Sequence, residues 1–131
     1  ESLDGKGCQM TLFSTLISDM GKHAQAEYPR ECCGLITKDF KYVACENISP
    51  FPKDSFVVDP ESLFEHEDNC WGIFHSHPGE ENPLPSEEDK KGAVFEEFKF
   101  IVGFNNKFYI YWLDKNIDAL KFDEFTEKHL V

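Results

Sequence analysis

The chain has few basic residues. Its 13 lysines and arginines are outnumbered by 25 aspartates and glutamates, which gives a formal net charge of −12. Such a surface repels phosphate backbones and anionic lipids, so we expect neither nucleic acid nor a membrane as a partner. The charge favours a basic protein or peptide instead, although solubility alone is a common reason for an acidic surface.

The chain also lacks any stretch of 18 or more apolar residues, so no segment is predicted to span a membrane. Internal repeats, low-complexity tracts and Cys-x-x-Cys pairs are absent as well. The five cysteines are an odd number, and the neighbours Cys32 and Cys33 would point to opposite faces of a strand. These features predict reduced thiols in a cytoplasmic protein, and they argue against a cysteine zinc knuckle.

The length and the apolar content of the chain are sufficient for one domain. The chain has 131 residues, of which 40% are hydrophobic and 13 are phenylalanine, and this is enough to fill a single core. Residues 1–10 lack the basic start and apolar middle of a signal peptide, so we interpret them as an N-terminal extension or a cloning remnant. The domain itself is predicted to span residues 11–131.

The apolar pattern predicts the order of the elements. Residues 11–27 have the spacing of an amphipathic helix that Pro29 closes. Asp59 and Ser86 are predicted N-caps of two further helices, the first running to about residue 68. Strands are predicted at 32–38, 41–48, 56–58, 71–76, 98–104, 107–113 and near 119–122. This order indicates one α/β domain with a mixed or largely antiparallel β-sheet flanked by helices.

Two histidines at the end of a predicted strand are the first candidates for chemistry. His75 and His77 are two residues apart, so both side chains would lie on one face, with Cα atoms about 6.5 Å apart. Two imidazoles at this distance can converge on one metal ion. Catalytic zinc commonly has three protein ligands and one water, so a third ligand is needed. By itself, a His-x-His pair is more often structural or simply exposed.

The third ligand and the acid/base group have several candidates. Asp89 lies in the first turn of a predicted helix after a proline-rich loop, with four competing glutamates nearby: Glu80, Glu81, Glu87 and Glu88. Glu31, at the start of a predicted strand, could take a proton from a water on the zinc and pass it to the leaving amine. Ser86 could support the developing oxyanion, cap the helix, or do both. A lone Glu31 would ordinarily be a surface acid.

Taken together, these residues resemble the JAMM signature of the MPN+ metalloprotease domain, also called the JAB domain. That signature consists of a Glu, then His-x-His-Pro, then Ser-x-x-Asp. This chain matches it with Glu31, with His75 to Pro78, and with Ser86 to Asp89. The resemblance covers residues 11–122. In one departure, eleven residues separate His77 from Asp89 where the family usually has ten, and the extra residue falls in the loop 79–85.

The resemblance implies a fold related to cytidine deaminases and a zinc ion held by His75, His77 and Asp89. It also implies that Glu31 is the general acid/base and that Ser86 supports the oxyanion. Family members hydrolyse peptide or isopeptide bonds, often at the tails of ubiquitin-like proteins. The segment 29–35 is most similar to the bacterial and phage branch, where the domain stands in tail-assembly proteins ahead of a cell-wall peptidase domain. A fragment of a longer protein, in the host cytoplasm or the virion, is therefore expected.

Two alternatives stay open from the sequence. MPN domains that lack the ligands act as assembly or binding modules, and a catalytically silent module of this kind is the main rival to a zinc metallopeptidase. The second rival is a zinc hydrolase of a non-peptide amide, or a deaminase, because the deaminase architecture is related. Zinc deaminases use a Cys-x-x-Cys pair that this chain does not contain.

Overall fold

The structure is a computed structural model that describes residues 5–93, 98–105, 107–111 and 120–121. The helices are α1 (Gly5–Glu27), α2 (Pro60–His66) and α3 (Glu87–Ala93), and a 3₁₀ turn at Glu67–Asn69 follows α2. The strands are β1 (Cys33–Thr37), β2 (Tyr42–Cys45), β3 (Cys70–Ser76), β4 (Lys99–Phe104), β5 (Lys107–Tyr111) and β6 (Leu120–Lys121). Within the described ranges, no helix has both the length and the apolar character needed to cross a bilayer.

The strands form one mixed sheet in the order β2-β1-β3-β4-β5-β6. The central pair β3 and β4 is parallel, while every other neighbouring pair is antiparallel. A parallel pair needs a crossover connection, and α3 lies in the one that joins β3 to β4. The predicted α/β domain with a mixed sheet and flanking helices is therefore confirmed.

Strand alternation divides the core between the two faces of the sheet. On one face, the buried side of α1 packs against Ile36 and Phe74 through Leu16, Met20 and Ala24. On the other face, Leu35, Ile73 and Tyr111 belong to a second cluster, against which Leu63 of α2 packs. Since His75 has the same parity along β3 as Ile73, its side chain belongs to this second face.

Several predicted boundaries differ from the structure. Helix α1 begins at Gly5 and not at residue 11, so part of the predicted extension is helical; the assignment of residues 1–10 stays a prediction. The predicted strand at 56–58 was wrong, because only one isolated bridge, Asn47 with Val58, forms there. The N–H of Val57 is bonded instead to the side chain of Asn47. The predicted N-cap is confirmed for Asp59, whose carboxylate accepts from the N–H of Glu61 at 3.3 Å.

Candidate metal centre

The end of β3 supplies the two histidines. His75 is completely buried, and His77, one residue beyond the strand, keeps 11% of its side chain exposed. Their ring centroids are 4.9 Å apart. Between them, Ser76 points to the opposite face, where its hydroxyl accepts from the N–H of Cys32 at 2.8 Å. The alternation of side chains along β3 thus places both imidazoles together, as the sequence predicts.

The first turn of α3 delivers a carboxylate to both rings. Asp89 Oδ1 lies 3.3 Å from His75 Nε2, and Asp89 Oδ2 lies 3.1 Å from His77 Nε2. A reciprocal cap holds this carboxylate, because the Asp89 N–H donates to Ser86 Oγ at 3.1 Å and the Ser86 N–H donates to Asp89 Oδ2 at 2.9 Å. The Ser-x-x-Asp spacing therefore has a local physical cause, since it orients Asp89 towards the histidines.

The competing glutamates fit less well. Glu80 Oε2 is 2.9 Å from His77 Nδ1, but this side chain is 57% exposed and its ion-pair contact is with one histidine only. Glu87 and Glu88 line the neighbouring cleft from the exposed start of α3. Asp89 is 11% exposed and contacts both imidazoles. Among these acids, Asp89 is therefore the one whose carboxylate is seen to contact both imidazoles.

Glu31 reaches the centre from the neighbouring strand. It precedes β1, and the β1–β3 register places Cys33 directly opposite His75. The Glu31 carboxylate oxygen Oε1 lies 3.6 Å from His75 Nδ1, and the side chain is 10% exposed. One ligand atom each from Glu31, His75 and His77 lie within 4.8 Å of one another. All four residues proposed for the metal chemistry therefore meet in one place.

The donor set fits a zinc ion. Two ligands at 2.0–2.1 Å from a tetrahedral zinc are about 3.3 Å apart. The two contacts from Asp89 to the imidazole nitrogens, 3.3 Å and 3.1 Å, match this separation. His75 is fully buried, yet its Nδ1 makes no hydrogen bond to the described residues, which is rare for a buried polar atom.

Electrostatics keep the carboxylate charged. Burial raises the pKa of Asp89. The hydrogen bond from His77 and the charges of both histidines lower it by more than burial raises it, so that the pKa is about 2. Burial lowers the pKa of His77, but the hydrogen bond to Asp89 and the charges of Asp89, Glu80 and Glu31 outweigh it and leave the pKa raised. A metal ion that binds here therefore competes with a proton for His77.

Four of the five cysteines have side chains that the structure describes, and their surroundings disfavour metal binding. Cys32, Cys33, Cys45 and Cys70 are buried free thiols. Burial raises the pKa of Cys32 to about 11 and that of Cys33 to about 12, so both remain protonated at neutral pH. Because the thiolate is the form that ligates zinc, this environment disfavours them as ligands.

Two aromatic residues contribute to the centre that sequence reasoning had not placed there. The Phe56 ring stacks on His75, with centroids 4.4 Å apart and planes 15° apart. The Tyr111 hydroxyl lies 3.3 Å from His75 Nε2, and burial raises the pKa of this tyrosine, so the hydroxyl stays protonated. The ring of Tyr111 belongs to the second core cluster, while its hydroxyl lies beside His75. Only the pairing of β3, β4 and β5 brings it beside His75.

An open cleft of about 610 Å³ leads to the centre, lined by Glu31, His77, Ser86 and Asp89. Its walls come from the segment 53–56 and from Pro78, Glu80 and the start of α3. The walls carry one lysine, Lys53, and four carboxylates besides Glu31 and Asp89, namely Asp54, Glu80, Glu87 and Glu88.

Replacing Ser86 with alanine should weaken α3 and loosen Asp89. Loss of an N-cap hydroxyl costs about 1 kcal/mol, and we expect a drop of this size in the free energy of unfolding by urea. Zinc affinity should fall with it, because Asp89 loses the hydroxyl that accepts its N–H. Ser14→Ala, on an exposed position of α1, is the matched control and should lower neither quantity, because alanine is the better helix former. Unchanged zinc affinity in Ser86→Ala would show that the cap does not orient the carboxylate.

Comparison with known families identifies the class that this fold and site define. Residues 14–114 match the family described as prokaryotic homologs of the JAB domain, and the chain belongs to that family. The chain is also similar to the tail tip assembly protein K of Escherichia phage N15, with 44% identity over 75 residues. That match covers 52% of this chain and 30% of the phage protein, so the chain corresponds to a minor part of its relative.

Proposed function

We propose that the chain is a zinc-dependent hydrolase of peptide or isopeptide bonds. The observation that carries the proposal is the Asp89 carboxylate between the Nε2 atoms of His75 and His77, with Glu31 beside them in an open cleft. Membership in the JAB family supports it. The test is zinc analysis of protein purified without chelators, together with a peptide hydrolysis assay, and a chain without zinc or turnover would contradict the proposal.

The role proposed for each residue follows from the chemistry of its side chain. His75, His77 and Asp89 would hold the metal, which when bound lowers the pKa of a water and polarises a carbonyl. The Glu31 carboxylate accepts a proton from the attacking water and returns it to the nitrogen of the leaving amine. The Ser86 oxygen accepts from the Asp89 N–H, and its own hydrogen remains to donate to the developing oxyanion.

The acidic walls of the cleft indicate a substrate with basic residues. With one lysine against four carboxylates outside the centre, the walls repel acidic chains and attract lysine and arginine side chains. The net charge of −12 acts in the same direction at longer range. We therefore propose a protein or peptide substrate whose cleaved segment is cationic.

Peptide binding tests this substrate class without requiring turnover. A fluorescent Lys-Ala repeat peptide should bind the zinc-loaded chain at least about tenfold more tightly than a Glu-Ala peptide of equal length, and salt should reduce the difference. Asp54→Asn with Glu88→Gln should weaken binding of the lysine peptide. Glu65→Gln, at an exposed position of α2, serves as the control. Equal affinity for both peptides would contradict the proposed class.

The phage relative suggests where such an activity would operate. Its name assigns that protein to tail tip assembly, and this favours work in the host cytoplasm or the virion for the present chain. The same name also favours a second candidate, an assembly module that has kept the fold but performs no hydrolysis. Tail assembly that proceeds normally with His77→Ala in the parent protein would support this second candidate.

Zinc affinity should decrease as the pH falls, because zinc and a proton compete for His77. The pKa of His77 is raised above its ordinary value of 6.5, so the competition begins above pH 6.5. Below the pKa, each displaced proton reduces the affinity about tenfold per pH unit. Asp89, with a pKa of about 2, stays ionised through this window and adds nothing to the slope. A competition titration from pH 5 to 8 measures this, and a flat profile would contradict it.

A further inference from the structure

The side chain of Asn47 organises the loop that follows β2. Its amide nitrogen donates to the carbonyl oxygens of Glu31 at 2.8 Å and Ser55 at 3.0 Å, with a longer contact to Pro52 at 3.5 Å. Its amide oxygen accepts from the N–H groups of Ser49 and Val57, both at 3.0 Å. Both donors and both acceptor positions of the amide are therefore used.

Both branches of this network end beside His75. One branch ends at Glu31, whose carbonyl is bound by Asn47 and whose N–H donates to the Pro52 carbonyl at 2.7 Å. The other branch holds Ser55 and Val57, the two neighbours of Phe56. The Glu31 carboxylate approaches the Nδ1 edge of His75, and the Phe56 ring covers its face.

We infer that Asn47 is a positioning residue, which fixes Glu31 and the Phe56 ring on two sides of His75. None of the described hydrogen bonds of Asn47 involves His75, His77 or Asp89, so it acts through the two residues it holds. The role of Glu31 in this inference rests on the proposed function. The orientation of the His75 ring does not rest on the proposed function, because His75 stacks on Phe56 whether or not the chain is an enzyme.

The chemistry of the amide explains why asparagine is needed here. Serine is too short to bridge the loop and Glu31 at the same time. Aspartate has the same shape and keeps an oxygen for the N–H groups of Ser49 and Val57. Its second oxygen would face the carbonyl oxygens of Glu31 and Ser55, where two acceptors repel each other. Asn47→Asp therefore removes the donor half of the network and leaves the acceptor half.

Asn47→Asp in the full chain, compared with Asn69→Asp, tests the inference. Asn69 is exposed and is the last residue of the 3₁₀ turn before β3, six residues or about 20 Å from His75 at the rise of a strand. Nuclear magnetic resonance of the His75 ring protons reports the Phe56 stack, and competition with a chelator reports zinc affinity. In Asn47→Asp we expect the ring-current shift of His75 to fall by half or more and zinc affinity to fall about tenfold. Asn69→Asp should change neither.

A His75 ring shift and a zinc affinity within twofold of the unmodified chain would overturn the inference. If Asn47→Asp does not fold, amide hydrogen exchange in the unmodified chain decides. Slow exchange at both Ser49 and Val57 supports the network, and exchange as fast as in an unstructured peptide at both overturns it. A chain that binds zinc but cleaves no peptide would refute the proposed function while leaving these readouts intact, so the two failures are distinguishable.

Discussion

Glu31→Gln reduces peptide hydrolysis by at least a hundredfold while the chain retains its zinc. Glutamine has the shape of glutamate but cannot accept the proton from the attacking water, and a positioned acid/base typically contributes 10²–10⁴-fold in rate. The metal should stay, because in the proposed site His75, His77 and Asp89 are the ligands and Glu31 is not. Turnover on the cationic peptide and zinc content by mass spectrometry measure the two effects.

The control for this substitution is Glu27→Gln. Glu27, the last residue of α1, forms an ion pair with Arg30 at 2.8 Å that is partly exposed to solvent. The same chemical change there removes one negative charge outside the centre and should leave turnover unchanged. Hydrolysis by Glu31→Gln at the rate of the unmodified chain would assign the proton transfer to another group.

His77→Ala removes zinc from the chain, with a loss of affinity of two orders of magnitude or more. The site loses one of two imidazoles, and Asp89 loses the partner of its Oδ2 atom at 3.1 Å. The fold should persist, because His77 lies beyond the last residue of β3 and outside both core clusters. Zinc titration and circular dichroism together measure these outcomes.

His66→Ala is the matched control for the loss of an imidazole. His66 is the last residue of α2, with 32% of its side chain exposed and an ion-pair contact to Glu65 at 3.8 Å. Zinc affinity should not change in this variant. If His77→Ala unfolded globally, the metal ligands would be part of the core, contrary to the packing described above.

Local features of the site were predictable from the sequence, because their causes are local. The common orientation of His75 and His77 follows from strand alternation. The position of Asp89 follows from the cap with Ser86, which involves residues only three apart. The choice of Asp89 over the competing glutamates required the structure, since spacing alone did not exclude them.

Long-range features could not be derived from the sequence. Glu31 reaches His75 only through the β1–β3 register, and its role came from the family resemblance. The Tyr111 hydroxyl arrives from β5, two strands away from β3. The predicted strand at 56–58 failed because the Asn47 side chain satisfies the backbone N–H that a strand partner would have bound. A hydrogen bond of this kind does not change the spacing of apolar residues, from which strands are predicted.

X-ray absorption spectroscopy at the zinc edge tests the central claim most directly, namely that His75, His77 and Asp89 hold one zinc. The chain, purified without chelators, should contain one zinc with imidazole and oxygen scattering at about 2.0–2.1 Å. In His77→Ala this signal should be lost. Sulfur scattering at about 2.3 Å would place the metal on the cysteines, and the absence of zinc from the unmodified chain would contradict the site altogether.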